Sequence, residues 1–196
     1  MRQRSVQEEI CFGSPIDYSF KKITSLEQLT NERPRALRVG RTPVRGPSNR
    51  FLTRSVWLNH NNLRNMVYLK ELLNGLLEQP SALGWIDFSF NMLTEVDKDL
   101  LLYPNLKIVY LHGNLIRTLD SIALLKELKK LKTLTLQGNP VDAIHLYRAH
   151  VINLLPQIAN LDFAPVLPRE RCLAVPPGTA NRYYPVNDPR TAPEKR

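Results

Sequence analysis

Cysteine is nearly absent from the sequence: among 196 residues only Cys11 and Cys172 carry a thiol. Two isolated thiols and four scattered histidines neither staple a small fold nor form a metal site, so a reducing compartment is expected and no cofactor is implied. No apolar run reaches the ~18 residues a membrane span needs. The opening MRQRSVQEEICFG has no apolar core and no small-residue cleavage site, so secretion is not expected either. The eight glycines make no phosphate-cradling loop, and no nucleophile stands beside a paired base. No catalytic residue is therefore assigned, and the protein is expected not to be an enzyme. Acidic residues are also short in supply, with 18 against 27 Lys and Arg.

What the chain has is leucine at regular intervals. Leu131, Leu134, Leu136 and Asn139 follow the pattern LxxLxLxxN, and copies stand upstream as Leu106, Val109, Leu111 and Asn114, then Leu83, Ile86, Phe88 and Asn91. Asn61 follows Val56 and Leu58, with Thr53 at the degenerate first position. Fixed-period self-similarity of this kind means stacked units, here a leucine-rich repeat array. A short strand alternates its side chains, so Val109 and Leu111 face inward while Ile108, Tyr110 and His112 face the open side. Asn61, Asn91, Asn114 and Asn139 then turn inward, where their amides satisfy backbone groups left by the bending chain. The fold class expected is an α/β solenoid, with a parallel concave sheet, convex helices and a C-terminal helical cap.

Successive asparagines lie 30, 23 and 25 residues apart, which leaves room for short convex helices only. The spacing predicts a helix over residues 63–79, stopped by Pro80, and an amphipathic helix over 121–130. A solenoid exposes its last apolar layer unless a cap covers it. Residues 140–162 suit that cap, with Asp142 placed to cap a helix carrying Ile144, Leu146, Tyr147, Val151, Ile152, Leu154 and Leu155. The run GNPVDAIHLYRAHVINLLPQIANLD resembles the capping motif of the Sds22-like repeat class, with Tyr147, Arg148, Pro156, Leu161 and Asp162 on its motif positions.

The flanks differ from the repeats. Residues 1–50 hold ten Lys or Arg against five acids, 51–162 eleven against ten, and 163–196 six against three, giving +5, +1 and +3. The division expected is an N-terminal extension (1–50), a repeat domain (51–162) with its cap at 140–162, and a Pro-rich tail (163–196). Within the extension, residues 15–31 alternate Ile16, Tyr18 and Phe20 before Ile23, Leu26 and Leu29 at helical spacing, with Ser25 and Gln28 as a capping box. That segment suits either a cover for the first repeat or a docking peptide. Residues 33–50 lead into a basic arm of Arg33, Arg35, Arg38, Arg41, Arg45, Arg50 and Arg54 without an acid, expected to be extended and able to lie on an acidic protein surface.

PIDYSF, SVWLNHNNL, WIDFSFNMLTEVD, VYLHGNLI and LTLQGNP resemble the leucine-rich repeat-containing protein 51 family over about residues 15–163. The resemblance implies a non-enzymatic protein of the cytoplasm and the ciliary or flagellar axoneme. Its implied partners are proteins, tubulin or axonemal neighbours, with one copy of the chain in a larger complex.

The partner is expected on the concave face, built from Ser55, Trp57, Asn59 and His60, then Trp85, Asp87, Ser89 and Phe90, then Ile108, Tyr110, His112 and Gly113, then Thr133, Thr135, Gln137 and Gly138. Its principal contacts are Trp57, Asn59, Trp85, Asp87, Ile108, Tyr110 and His112. Trp57, Trp85, Ile108 and Tyr110 make a neighbouring apolar patch of the residue types that dominate interface energetics. Asp87 and His112 can be imagined as an acid and base, but repeat positions put ordinary solvent-facing polar side chains there. Two other functions share features of the sequence: a regulatory subunit gripping a phosphatase, from the cap class, and a ribonucleoprotein component, from the basic flanks. A nearly uncharged concave face disfavours nucleic acid, whose affinity comes largely from phosphate neutralisation.

Overall fold

The computed structural model describes residues 13–35 and 43–173. Seven strands form one sheet in chain order: β1 (Ile16–Asp17), β2 (Ser55–Trp57), β3 (Trp85–Asp87), β4 (Ile108–Tyr110), β5 (Thr133–Thr135), β6 (Asn160–Leu161) and β7 (Ala164–Pro165). All neighbours pair in parallel except β6 and β7, which are antiparallel. The register joins Val56, Ile86, Val109 and Leu134 in one row, each fully buried, so the alternation of each strand stacks into a continuous core. Leu58, Phe88, Leu111 and Leu136 form a second buried row.

The asparagines form the ladder that the spacing demands. Asn114 Nδ2 donates to Leu111 O (2.8 Å) and to Phe88 O in the preceding repeat (3.0 Å), while its Oδ1 accepts from Leu93 N (3.0 Å). Asn91 and Asn139 repeat this geometry, and Asn61 reaches back to Tyr18 O and Ile23 N. Each amide thus satisfies buried backbone groups of two repeats at once.

The extension before residue 35 is itself the first rung. Ile16 and Tyr18 are buried in the core, β1 pairs with β2, and a 3-10 helix (Leu26–Asn31) packs against the first convex helix. Lys21 occupies the asparagine position and pairs instead with Glu32 Oε2 at 2.7 Å. No earlier repeat is stacked beneath it among the described residues, so no backbone groups there call for an amide. The expected capping box is displaced by one residue. Ser25 Oγ accepts from Glu27 N and Gln28 Oε1 from Thr24 N.

The convex side departs from the predicted helices. The first, α1, spans only Leu69–Leu76, because Tyr68 before it is left-handed (φ 76°) and Leu63 and Met66 are spent on the inner turn. Residues 121–130 are no single helix: α2 (Leu119–Ala123) tightens into a 3-10 turn at Leu124–Glu127, since a 25-residue repeat leaves little length for an α-helix. The cap helix α3 covers Tyr147–Leu154. Asp142 does not cap it but accepts from Gly138 N at 2.6 Å, steadying the preceding loop.

The cap also runs past residue 162, into β7 and α4 (Pro168–Arg171). Along the sheet Leu58 N donates to Asp87 O, Phe88 N to Tyr110 O and Leu111 N to Thr135 O. At β5 the next strand is short, and the Asp162 carboxylate substitutes, accepting from Leu136 N (2.6 Å) and Gln137 N (2.9 Å). Tyr147 Oη donates to the other oxygen of Asp162 at 2.9 Å, and burial together with that carboxylate drives the phenol pKa far upward. Arg148 donates to Leu161 O, Pro165 O and Glu170, clamping β6, β7 and α4 onto α3.

Candidate protein-binding face

The concave face is lined by an unbroken chain of rings. Trp57 meets Trp85 edge-on at 5.4 Å between centroids, and Trp85 meets Tyr110 at 5.8 Å. Tyr110 and His112 both reach Phe163, at 5.7 and 5.3 Å. From His112 the chain returns through Phe90 (5.0 Å) and His60 (4.4 Å, stacked nearly parallel) to Phe20 (4.2 Å). Edge-to-face and offset pairs of this kind contribute about 0.5–1.5 kcal/mol each beyond area burial.

Part of this row exists at a backbone cost. Phe20, His60 and Phe90 occupy one position in successive repeats, each left-handed with φ of 58°, 56° and 52°. Gly113 and Gly138 hold the same position in the next two, with φ of 69° and 76°. A side chain there costs about 1–2 kcal/mol. Three bulky rings are nevertheless kept, and Phe20 and Phe90 remain 44% and 47% exposed.

The predicted face residues divide. Trp57, Tyr110 and His112 are half-buried and sit in the ring chain, whereas Trp85 and Ile108 are almost fully buried as a small cluster beneath Trp57 and Tyr110. Asp87 does not face solvent: only 8% exposed, its Oδ1 accepts from Ser89 N (2.8 Å) and Ser89 Oγ (2.6 Å), closing the strand end. Asn59 is likewise buried. Nor do Asp87 and His112 form an acid–base pair, because the His112 Nδ1 contact is with Thr135 Oγ1 at 2.8 Å. Burial lowers the His112 pKa, partly opposed by Asp162 and reinforced by His60.

Four contributors lie outside the predicted set: Asp17, Ser19, Phe20 and Phe163. The signal for the first three was present, since IDYSF at 16–20 nearly duplicates IDFSF at 86–90. Asp17 repeats the Asp87 geometry, accepting from Ser19 N (2.8 Å) and Oγ (2.5 Å).

The expectation of a wholly extended arginine arm does not hold. Arg33 and Arg35 are exposed, and Arg35 N donates to Asp17 O along the outer edge of β1. Arg38 and Arg41 lie outside the described residues. Arg45 to Phe51 turns back on itself, with the Arg45 guanidinium 4.0 Å from the Phe51 ring centroid and donating to Asn49 O. Phe51 N then donates to Leu76 O at the end of α1, and Arg50 sits exposed on this turn. Arg54 lines a cleft of about 300 Å³ with Phe51, Thr53 and Glu78. The second half of the arm is therefore a brace on the convex side.

Among the described residues no group of three or more His, Cys, Asp or Glu is placed to hold a metal, and no helix is long and apolar enough to cross a membrane.

A leucine-rich repeat family model matches residues 81–176. The human protein named leucine-rich repeat-containing protein 51 is 41% identical over 171 residues, covering 87% of this chain and 85% of its own. The protein of that name from Bos taurus is 41% identical over 175 residues, covering 89% and 90%. Among solved structures, the Drosophila melanogaster SNF/U2A′ complex contains a chain similar at a TM-score of 0.58 and 22% identity, over 80% of this chain and 76% of that one. That likeness concerns the fold alone.

Proposed function

Because the chain belongs to the leucine-rich repeat-containing protein 51 family, we propose that it is a structural adaptor of the ciliary or flagellar axoneme, holding a neighbouring protein on its concave face. The leucine-rich repeat is a protein-interaction domain, and the adaptor role follows from it. The observation that carries the concave face is the retained strain: three aromatic side chains kept in the left-handed region, in adjacent repeats, on one row. Strain of this kind persists where it serves a site. Aromatic rings on a rigid sheet provide large contact area with little side-chain entropy to lose. Their outward neighbours on β1 to β5 include no Lys or Arg, so a protein surface suits this face better than a phosphate backbone.

The axonemal setting is supported by the family resemblance, and exposed Arg33 and Arg35 offer a second, salt-sensitive contact to acidic protein. The test is a tagged chain in a ciliated cell, cross-linked in place, beside a Trp57→Ala/Tyr110→Ala variant. The expected result is recovery with axonemal proteins and loss of a principal neighbour in the variant. Recovery in soluble ribonucleoprotein, or an unchanged set of cross-links, would overturn the reading.

A further inference from the structure

Four polar atoms on the β1–β2 end of the concave face are buried without a hydrogen-bond partner: Asp17 Oδ2, Ser55 Oγ, Asn59 Oδ1 and Trp57 Nε1. Asp17 is 1% and Asn59 9% exposed. The register sets Asp17 directly across from Trp57, and Asn59 follows two residues later on the same face. Ser19 satisfies only the other oxygen of Asp17. A buried carboxylate oxygen and a buried amide oxygen both require donors, and a charged donor best offsets the desolvation of the carboxylate.

We propose that this end of the face reads one arginine side chain presented by the partner protein. The inference rests on the concave-face reading above and specifies the chemistry of its occupant. A guanidinium offers five N–H donors in a planar fork, enough to supply both acceptors, and its flat face suits contact with an indole ring such as Trp57. A lysine ammonium is compact and more strongly hydrated, so it matches this arrangement less well. Trp57 Nε1 is left to take a carbonyl of the partner's main chain.

Charge agrees with this occupant. The outward positions 17, 55, 57, 85, 87, 108, 110, 133 and 135 carry two carboxylates, Asp17 and Asp87, and no cation. At the rim the chain already places a guanidinium of its own: Arg35 Nη1 donates to Ser19 O at 3.3 Å, with Cζ 5.7 Å from the Phe20 centroid. It leaves Asp17 Oδ2 unbonded.

The experiment titrates the ¹⁵N-labelled full chain with N-acetyl-arginine amide and follows the Trp57 indole N–H resonance, assigned by Trp57→Phe. N-acetyl-lysine amide and the neutral isostere N-acetyl-citrulline amide serve as comparisons. A saturable shift with arginine is expected, weaker with lysine and absent with citrulline. Asp17→Asn, which keeps an acceptor for Ser19, and Asn59→Ala should each reduce it, with circular dichroism verifying both folds. No saturable shift, an equal response to citrulline, or a response unchanged in both variants overturns the proposal. If arginine leaves Trp57 unmoved while Trp57→Ala/Tyr110→Ala still loses its cellular neighbour, this inference fails and the adaptor reading stands. If arginine binds while the cellular cross-links stay unchanged, the arginine site stands and the adaptor reading fails.

Discussion

The ring of Phe90 lies directly over the Cα of Gly113: a Cβ built on Gly113 would come within 2.7 Å of Phe90 Cδ1 and 3.0 Å of Cε1. Gly113 is also left-handed, at φ 69°. Backbone conformation and close approach thus both disfavour a side chain at Gly113, and the close approach is what separates it from the three preceding repeats, which carry a side chain at the same left-handed position.

Gly113→Ala should accordingly destabilise by about 1–2 kcal/mol from the backbone conformation, with displacement of Phe90 in addition. Removing the ring relieves only the second part. Urea unfolding of Gly113→Ala, Phe90→Ala and the double variant should show the double to be less destabilised than the sum of the singles, and strict additivity would contradict the contact.

The ladder provides a separate test. Asn114→Ala strands the carbonyls of Phe88 and Leu111 and the N–H of Leu93, and should cost about 1–3 kcal/mol. Leu111→Ala, at a fully buried core position, should cost about 2–5 kcal/mol. Lys129→Ala, on an exposed side chain beside Glu127, is the reference and should stay within about 0.5 kcal/mol of the parent. Thermal unfolding ranks the three, and a Lys129 effect as large as the other two would refute the register.

Glu170 makes the clamp on the cap sensitive to acid. The Arg148 side chain, at 2.6 Å, and then Leu167 N hold its carboxyl down at about 2, below the ordinary value of 4.5. A depressed carboxyl stabilises the fold fully above its unfolded value and loses that contribution as pH falls from about 4.5 towards 2. The pair is partly exposed, so Glu170→Gln should cost about 1 kcal/mol at neutral pH. Denaturant midpoints of the two proteins should converge between pH 5 and about 2, and a gap independent of pH would show that the Glu170 charge does not hold the clamp.

His112 acts in the opposite part of the scale. Its folded pKa lies below 6.5, chiefly through burial, so the unfolded chain binds the proton more readily. Stability is complete above 6.5 and declines as pH falls through that value. His150 is shifted in the same direction and adds its own slope. The difference between the parent and His112→Gln isolates the His112 part. That difference should change between about pH 7.5 and 5.5, and parallel curves there would show that His112 does not titrate as described.

The four asparagine-bearing repeats, the inward leucines, the asparagine ladder and the start of the cap were legible in the sequence, because each depends on local spacing. The rung made by residues 16–32 does not show in that spacing, since Lys21 stands at its asparagine position. A strand alternates whatever surrounds it, and LxxLxLxxN sets its own register. The convex elements were not legible. Leu63 and Met66 continue the apolar pattern of Leu69, Leu72 and Leu73, and only the turn forced by stacking, with Tyr68 left-handed, decides where the helix begins.

The concave face divides along the same line. Sequence alone put Trp57, Trp85, Ile108 and Tyr110 on the open side, since alternation leaves them nowhere else. That Trp85 sinks between its neighbours, that Asp87 turns back onto Ser89, and that Phe20, His60 and Phe90 stack in one row were settled by the distance between strands. Parallel neighbours about 4.8 Å apart bring side chains 23 to 40 residues distant into van der Waals contact. No local pattern encodes which of them will meet, so the ring chain and the unsatisfied acceptors beside Trp57 belong to the tertiary structure alone.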